Sequence, residues 1–476
     1  MRLPLRLAAA AAGIVLLVPV CGFGPDAAAN KDAAEGARAA DILVTAAPVY
    51  APLAALQGGE RFPKGAQLLL IHAGKAEPLV AGFWAAADAN VSFDGERVLF
   101  AGKQAAGDPW QIWEMTLKDR AVRKIVAGEG DAIRPLYLPA GRLLYARRTA
   151  HGFQLQTAGK DAAYAMAPID AEAGATVLPL SYLPGSAIPA DVLLDGRILF
   201  ESGFPLGTGS TPELYLVYSD GSGVESYRCD HGRARWGGKQ LASGDVVFTH
   251  GGALARFTSP LAHEAAIAAP HAEYAGSIAE TAEGDWLVST RPAPGAHYAL
   301  RDWKPGAAAM QTVLAVSGED LVEPVVAAPR PRPKRHPSAL HPWSYANLLA
   351  LDARLSREGD LKAVPAAVRL ETMDAEGRAV VTGASPVEAD GSFFVQVPGD
   401  KPIRFALLDE KGKVVRAEQG WFWIRAGEQR YCVGCHTGPE RSSENHVPAV
   451  LLRTTTPVDL TGAAKTGGES SAAGGK

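Results

Sequence analysis

The chain has 476 residues, more than one ordinary compact domain holds, so two or three structural units are expected. Hydrophobic residues at 47% and charged residues at 21% are ordinary for a globular protein, while 51 Gly and 34 Pro favour turns over long helices and predict an all-β fold. The formal net charge of -4 gives no basic footprint of the kind that phosphate backbones require, which excludes nucleic acid as an expected partner.

The first thirty residues have the pattern of an export signal. Arg2 and Arg6 precede an apolar run over residues 7–20, and three alanines at 27–29 offer a cleavage site. Because the apolar run is shorter than the roughly 20 residues that cross a bilayer, residues 1–29 are predicted to be a signal peptide. Cys21 is a candidate for a lipid anchor, although Val20 before it is larger than lipidation normally requires. We therefore expect a periplasmic or extracellular protein without a transmembrane span after cleavage.

Five similar segments recur between residues 40 and 330, and each places a glycine-centred turn before a short apolar strand. The turn glycines are 46, 55, 48 and 40 residues apart, near the ~40 to 50 residue period of four-stranded propeller blades: Gly95, Gly141, Gly196, Gly244 and Gly284. Blades stack radially because one blade alone leaves its faces exposed. Residues 40–328 are therefore predicted to form a TolB- or WD40-like β-propeller of about six blades. Seven blades, or a pair of β-sandwiches, are the alternatives.

A proline-rich basic stretch follows at residues 329–342, where the composition is typical of an extended, semi-rigid and solvated linker. Beyond it, short strands at 368–371, 392–397, 403–408 and 414–417 are separated by turns. This pattern predicts a small β-sandwich-like domain over residues 343–455. Residues 456–476 are rich in Gly, Ala, Ser and Thr and are predicted to be a disordered tail.

Chemistry is expected at Cys432-Val433-Gly434-Cys435-His436, the CxxCH motif of c-type haem attachment. Two thiols at this spacing can add to the two haem vinyl groups while the adjacent imidazole of His436 binds the iron. A zinc half-site would need a second ligand pair, and a redox dithiol would need a βαβ context. With the signal removed, three cysteines remain, which is a poor inventory for disulfides.

The second axial position of the iron has several candidates. His446, ten residues beyond His436, could bind the iron, or it could be an exposed loop histidine with no role. Met373 is a weaker candidate, and an open position would allow a small molecule to react. Trp421 and Trp423 could pack against the porphyrin edge or in an ordinary core. Two nearby charged residues are candidates for haem propionates or for plain surface positions: Glu440 and Arg441.

Cys229 lies two residues before His231 in a predicted propeller turn. A thiolate and an imidazole at this spacing could bind a second metal such as zinc, and the alternative is a buried, unreactive thiol.

The sequence resembles the hydrazine synthase alpha-subunit-like family in four segments. These are residues 47–52, 194–200, 387–394 and 423–431, the last of which leads directly into the haem motif. The resemblance implies a propeller packed beside a middle domain that carries a c-type haem, with metal ligation near the haem by a propeller cysteine, here Cys229. Hydrazine synthase alpha subunits also have a second haem domain and a haem-ligating tyrosine shortly after the motif. Here there is no second CxxCH, and Thr-Gly-Pro-Glu follows His436, so the resemblance does not extend to hydrazine synthesis.

Taken together, the sequence predicts an exported monohaem c-type cytochrome that serves a redox partner protein or reacts with a small molecule. Whether it is a haem-dependent oxidoreductase depends on whether the iron has an open position. A first alternative is a binding module whose propeller docks a protein or polymer while the haem only relays electrons. A second is a structural zinc protein without haem.

Overall fold

The structure is a computed structural model that describes residues 40–159, 177–204, 211–228, 230–435 and 441–462. All of these belong to one compact unit, Ala40–Lys476. The predicted signal peptide with Cys21 lies outside the described residues, as do Cys229, His436 and Glu440. In the part of the chain that is described, no helix has the length and apolar character needed to cross a membrane.

Six sheets of four or five antiparallel strands make up the N-terminal part of the described chain, which confirms the predicted six-bladed propeller. The first sheet contains β1 (Asp41–Ala47), β2 (Gln67–His72) and β3 (Lys75–Pro78). The next four sheets use consecutive strands: β4 (Ala85–Val91), β5 (Arg97–Lys103), β6 (Gln111–Thr116) and β7 (Val122–Val126); β8 (Ala132–Tyr137), β9 (Leu143–Thr149), β10 (Gly152–Ala158) and β11 (Leu178–Pro179); β12 (Ala187–Val192), β13 (Ile198–Phe204), β14 (Thr211–Val217) and β15 (Glu225–Ser226); β16 (Arg235–Gln240), β17 (Val246–His250), β18 (Ala253–Phe257) and β19 (Ala265–Ala266). The sixth has β20 (Glu273–Tyr274), β21 (Ala279–Glu280), β22 (Trp286–Arg291), β23 (Ala299–Trp303) and β24 (Gln311–Leu314).

The ring closes through β25 (Asp320–Ala327), which returns to pair with β1 as the innermost strand of the first sheet. This closure explains why five turn repeats, rather than six, are visible in the sequence. In the other blades the repeat is the turn between the first and second strands. In the first blade these two strands come from opposite ends of the propeller sequence, so no turn joins them.

The turns and inner strands have local chemical causes. In the turn before β5, the Asp94 carboxylate accepts the Glu96 N–H at 3.1 Å and pairs with Arg97, an arrangement that favours a tight turn. The inner strands are bulged, and Asp88, Arg134 and Glu323 adopt left-handed backbone conformations there. Bulges re-aim side chains, and these three side chains meet in one buried ion-pair cluster with Arg61.

The C-terminal part is a sandwich of two four-stranded sheets, in agreement with the predicted β-sandwich-like domain. Its elements are β26 (Tyr345–Ala350), β27 (Ala367–Met373), β28 (Ala379–Pro386), β29 (Phe393–Pro398), β30 (Ile403–Leu408), β31 (Val414–Ala417), β32 (Gln429–Cys432), a short helix α1 (Ala449–Arg453) and β33 (Val458–Asp459). One sheet has the order β32-β26-β29-β33 and the other β28-β27-β30-β31. Alternate apolar residues of both sheets form the core between them.

The sandwich extends further along the chain than the sequence predicted. Strand β33 pairs with β29, and the Leu460 side chain is 2% exposed within the sandwich core. The prediction of disorder from residue 456 is therefore wrong for these residues, because one buried leucine fixes a segment of otherwise polar composition. Residues 463–476 lie outside the described residues.

Residues 329–342, which we call the strap, form no strand but run across the turns of the propeller. Pro329 lies against Gly95, and the backbone of Lys334 lies against Gly196. The Arg330 N–H donates to the Phe93 carbonyl at 3.1 Å. The predicted solvated linker is thus in contact with the propeller along its backbone, and a side chain at either glycine would collide with it.

Candidate functional site

The cysteine motif begins on an edge strand of the sandwich. Strand β32 runs parallel to β26, with Cys432 opposite Ala350. Past the end of β26, the Leu351 N–H donates to the Cys432 carbonyl at 2.9 Å, and the Asp352 N–H donates to the Val433 carbonyl at 3.2 Å. The first half of the motif is therefore held by backbone hydrogen bonds to the neighbouring strand and to the chain that follows it.

The two thiols are brought to the same place. Cys432 and Cys435 are both free, and both pack against the sandwich core as partly buried residues. Burial raises the pKa of Cys432. Burial, reinforced by the Glu418 carboxylate, raises the pKa of Cys435 to about 12. Both sulfurs are consequently protonated thiols at neutral pH, and neither is a poised thiolate nucleophile.

The segment 352–361, which we call the 352–361 loop, lies beside this site. Arg441, just beyond the motif, donates to Asp360 at 2.7 and 2.8 Å and to the Ser356 carbonyl at 3.0 Å. The Arg441 hydrogen bonds lower the pKa of Asp360 well below its usual range. Arg416 of β31 donates to the Gly359 carbonyl at 2.5 Å. The loop thus fixes the chain downstream of the motif, and Arg441 has a carboxylate partner within the protein.

His446 is exposed and is oriented by a carboxylate. Its Nε2 lies 3.1 Å from Oδ2 of Asp390, and the same oxygen accepts the Ala449 N–H at 2.7 Å. Partial burial opposes ionisation of Asp390, but hydrogen bonds from Ala449, Ser392 and His446 lower its pKa to about 2. Asp390 also accepts from Arg354 through its carbonyl at 3.3 Å, which joins His446 to the 352–361 loop. The structure therefore assigns His446 a partner but shows no contact with either thiol.

Cys229 lies outside the described residues, but its neighbours are informative. The Arg228 carbonyl accepts a hydrogen bond from Arg357 of the 352–361 loop, and the Arg228 guanidinium donates to Pro260 at 2.8 Å. His231 stacks on Phe204 with ring centroids 4.1 Å apart. The chain beside Cys229 and the chain beyond the motif therefore contact the same loop. Within the described residues, no group of three His, Cys, Asp or Glu side chains is arranged to hold a metal ion.

The aromatic residues before the motif lie where the sandwich contacts the propeller, a region that we call the joint. Trp423 is fully buried in the core of the fourth blade, and its indole N–H donates to the Gly221 carbonyl at 3.0 Å. Trp421 instead lies under the guanidinium of Arg404 at 4.7 Å. Ordinary core packing, the alternative that we weighed against a porphyrin contact, is therefore what the structure shows for Trp423.

The polar contacts between the propeller and the sandwich were not predicted from the sequence. Arg425 donates to the Asp220 carbonyl at 3.0 Å, Glu428 accepts the Gly223 N–H at 3.2 Å, and Arg430 donates to the Val224 carbonyl. Three charged residues within six positions, next to a buried aromatic cluster, were the available signal. They bind the strand that carries Cys432 to one propeller turn, residues 220–224.

The fold and the motif define a class of protein: a six-bladed β-propeller joined to a β-sandwich whose edge strand carries a CxxCH sequence. Residues 353–437 match the family model of the hydrazine synthase alpha subunit middle domain. This part of the chain is therefore similar to the hydrazine synthase alpha subunit middle domain.

Individual proteins also resemble parts of this chain. Hydrazine synthase subunit alpha of Kuenenia stuttgartiensis is 36% identical over 61 residues, which is 13% of this chain and 8% of that protein. The solved structure of Kuenenia stuttgartiensis hydrazine synthase matches with a TM-score of 0.74 at 18% identity, covering 87% of this chain and 72% of that chain. TolB from Acinetobacter baumannii matches at a TM-score of 0.43 and 13% identity, over 61% of this chain and 67% of that one.

Proposed function

We propose that the protein is an exported monohaem c-type cytochrome with a redox function. The observation that carries the proposal is the pair of free thiols, Cys432 and Cys435, side by side at the edge of an apolar core and followed immediately by His436. Thioether formation requires two reduced cysteines at this spacing, and the donor set therefore fits the group. When bound, haem supplies one-electron redox chemistry.

The residues around the motif suit this role. Cys432 and Cys435 would anchor the porphyrin beside the sandwich core, where apolar side chains exclude water, and His436 would bind the iron. Arg416 is a cation near Cys435 that donates only to backbone carbonyls among the described residues. It is therefore the candidate partner for a haem propionate, whereas Arg441 is already paired with Asp360.

His446 is the candidate for a second protein ligand of the haem iron. A histidine that binds a metal usually gives its other ring nitrogen to a carboxylate, which fixes the ring and raises its basicity. Asp390 already provides such a partner at 3.1 Å from Nε2. A carboxylate-oriented histidine favours an iron that would be held by two protein ligands, and hence electron transfer rather than reaction with a small molecule.

The location follows from the N-terminal sequence and from the chemistry. Residues 1–29 have the pattern of a cleavable signal, and c-type haem attachment takes place outside the cytoplasm. We propose a periplasmic or extracellular location, with Cys21 as the site of any lipid anchor. Hydrazine synthesis is not part of the proposal, because the residues that follow His436 are Thr-Gly-Pro-Glu and include no tyrosine.

Covalent attachment can be tested directly. The full chain is exported in a host with a c-type maturation system and examined by pyridine haemochrome spectroscopy and intact mass. We expect one haem per chain in the wild type, none in the Cys432→Ser/Cys435→Ser double variant, and one in the control Cys229→Ser. A wild-type mass without haem would sink the proposal, and stoichiometric zinc in its place would support the structural zinc alternative.

Carbon monoxide separates the electron carrier from a haem with an open site. Because two protein ligands block the gas, the reduced wild type should not bind it, while His446→Ala should bind it and show a shifted Soret band. Binding of carbon monoxide by the wild type would instead show an open iron position and favour reaction with a small molecule.

A further inference from the structure

The strap concentrates positive charge in a protein that is acidic overall. Four of its residues are basic within six positions: Arg330, Arg332, Lys334 and Arg335. No acidic residue occurs between Glu323 and Asp352, whereas the whole chain has a formal charge of -4. The strap is therefore a local exception, and its cations need a physical explanation.

The backbone of the strap is fixed rather than free. The Lys334 N–H donates to the Leu194 carbonyl at 2.9 Å, and Pro333 is buried against the propeller. Prolines at 331, 333 and 337 restrict the backbone to an extended conformation. The side chains of the strap therefore extend from a backbone that is already ordered, so binding a partner costs little further backbone entropy.

One of the four cations points inward and has a structural role. Arg330 donates to the Val91 carbonyl at 3.2 Å, and its guanidinium lies 4.4 Å from the centre of the Phe93 ring. Burial lowers the pKa of Arg330. This residue fastens the strap to the second blade, so it is not available to a partner.

The other three cations, Arg332, Lys334 and Arg335, are exposed. In the described part of the chain none of them forms an ion pair, although most arginines of the protein pair with carboxylates. In the turns beneath the strap, Asp94 pairs with Arg97 and Asp195 pairs with Arg197, while Glu96 is exposed and forms no ion pair with the strap among the described residues. Within the described residues none of these three positive charges is paired with a carboxylate, and the Arg332 guanidinium lies 5.8 Å from the centre of the Phe93 ring.

We propose that Arg332, Lys334 and Arg335 form a docking track for an extended acidic segment of a partner protein. In an extended proline-rich backbone, residues two apart are separated by about 6 Å, close to the spacing of alternate residues in a strand-like segment. Alternate carboxylates of such a segment match the spacing of Arg332 and Lys334, and Arg335 adds a third positive charge directly after Lys334. The attraction is individually weak and salt-sensitive, which suits a transient partner.

A protein partner fits these features better than a lipid surface. Lipid recognition by charge uses clusters of four to eight basic residues, whereas the strap exposes three in a line. The strap also ends beside the sandwich, where the His341 N–H donates to the Gly427 carbonyl at 2.9 Å, two residues before β32. A partner on the track would therefore lie next to the domain that carries the CxxCH motif, but binding itself does not depend on haem.

The test uses the full chain and a defined probe. A fluorescein-labelled nine-residue peptide of alternating glutamate and alanine is titrated with the protein, and anisotropy is followed at low and at physiological ionic strength. We expect binding at low salt that weakens at least tenfold as screening increases. The variant Arg332→Gln/Lys334→Gln/Arg335→Gln should bind at least tenfold more weakly than the wild type.

Two controls make the outcome decisive. Lys64→Gln/Lys118→Gln/Lys411→Gln removes the same charge from scattered exposed positions and should change affinity less than twofold. A matched peptide with glutamine for glutamate should not bind. Equal loss in both triple variants would show a mere effect of net charge and overturn the proposal. Strap-dependent binding to vesicles of phosphatidylglycerol and phosphatidylcholine, without binding to the peptide, would overturn it in favour of a lipid surface.

Discussion

The propeller and the sandwich handle polar groups in opposite ways. Near its axis the propeller buries Arg61, Asp88 and Glu323 together, with Arg61 and Asp88 2.5 Å apart and each side chain at most 6% exposed. The sandwich core is apolar, and its reactive groups, Cys432 and Cys435, lie at its margin. Buried charges are stable only while every partner is present and correctly ionised. We therefore expect pH to change the stability of the propeller through its buried charges. The sandwich should be affected mainly by substitutions in its apolar core or at its two cysteines.

The largest effect on stability is expected where the two parts meet. Replacing Trp423, which is fully buried in the fourth blade, with alanine removes packing from the propeller and the Gly221 hydrogen bond from the joint. Such truncations cost about 3 to 5 kcal/mol. Urea unfolding followed by circular dichroism measures the loss. Trp84→Ala is the control because Trp84 is 40% exposed, and an equal cost for both would contradict the buried joint.

An intermediate effect should come from a buried propeller carboxyl. Burial raises the pKa of Glu213 to about 7. A folded-state pKa above the unfolded one means that this contribution is intact below pH 4.5 and is lost as the pH rises through 7, a change of about 3 kcal/mol. The free energy of unfolding should therefore fall across this window in the wild type. Glu213→Gln should flatten the profile.

A carboxyl group of the sandwich should change the pH dependence of the free energy of unfolding in the opposite direction. Asp390, whose pKa is lowered to about 2, stabilises the fold above its unfolded pKa of 3.8 and loses that contribution as the pH falls. Asp390→Asn should therefore lower the free energy of unfolding at neutral pH by a constant amount and leave its slope above pH 5 unchanged. If it alters the slope in the same window as Glu213→Gln, the assignment of that window to the propeller is wrong.

The smallest effect distinguishes two glycines with the same role in the repeat. Gly196 and Gly284 both have left-handed backbone angles, so alanine costs about 1 to 2 kcal/mol at either position. A Cβ at Gly196 would also collide with the Lys334 carbonyl of the strap, whereas Gly284 has nothing within 4 Å. Gly196→Ala should therefore be about 1 to 3 kcal/mol worse than Gly284→Ala in equilibrium unfolding. Equal costs at the two positions would mean that the strap moves away from the new side chain without a loss of stability.

Periodicity and motif made different parts of this molecule predictable. The turn glycines from Gly95 to Gly284 predicted the propeller architecture, because each repeat encodes the same local turn chemistry, but they mark only five of the six blades. The motif from Cys432 to His436 predicts a haem site, of which the structure describes the two free thiols, Cys432 and Cys435. The contacts between the two parts were not predictable, since Trp423 and Arg425 meet residues some 200 positions away, and neither pattern encodes such a distance. The burial of Leu460 was not predicted, because its neighbours in the sequence are mostly polar.

The late return of β25 to the first blade has a consequence for biosynthesis. Until the chain has grown past Ala327, β1 has no partner on one side and the ring remains open, with an unpaired strand edge that invites association with other chains. The strap follows β25 directly and lies on the second and fourth blades, so it can only settle after the circle is complete. Any premature stop before Asp320 would leave a horseshoe of blades instead of a ring, and such a fragment should aggregate rather than accumulate.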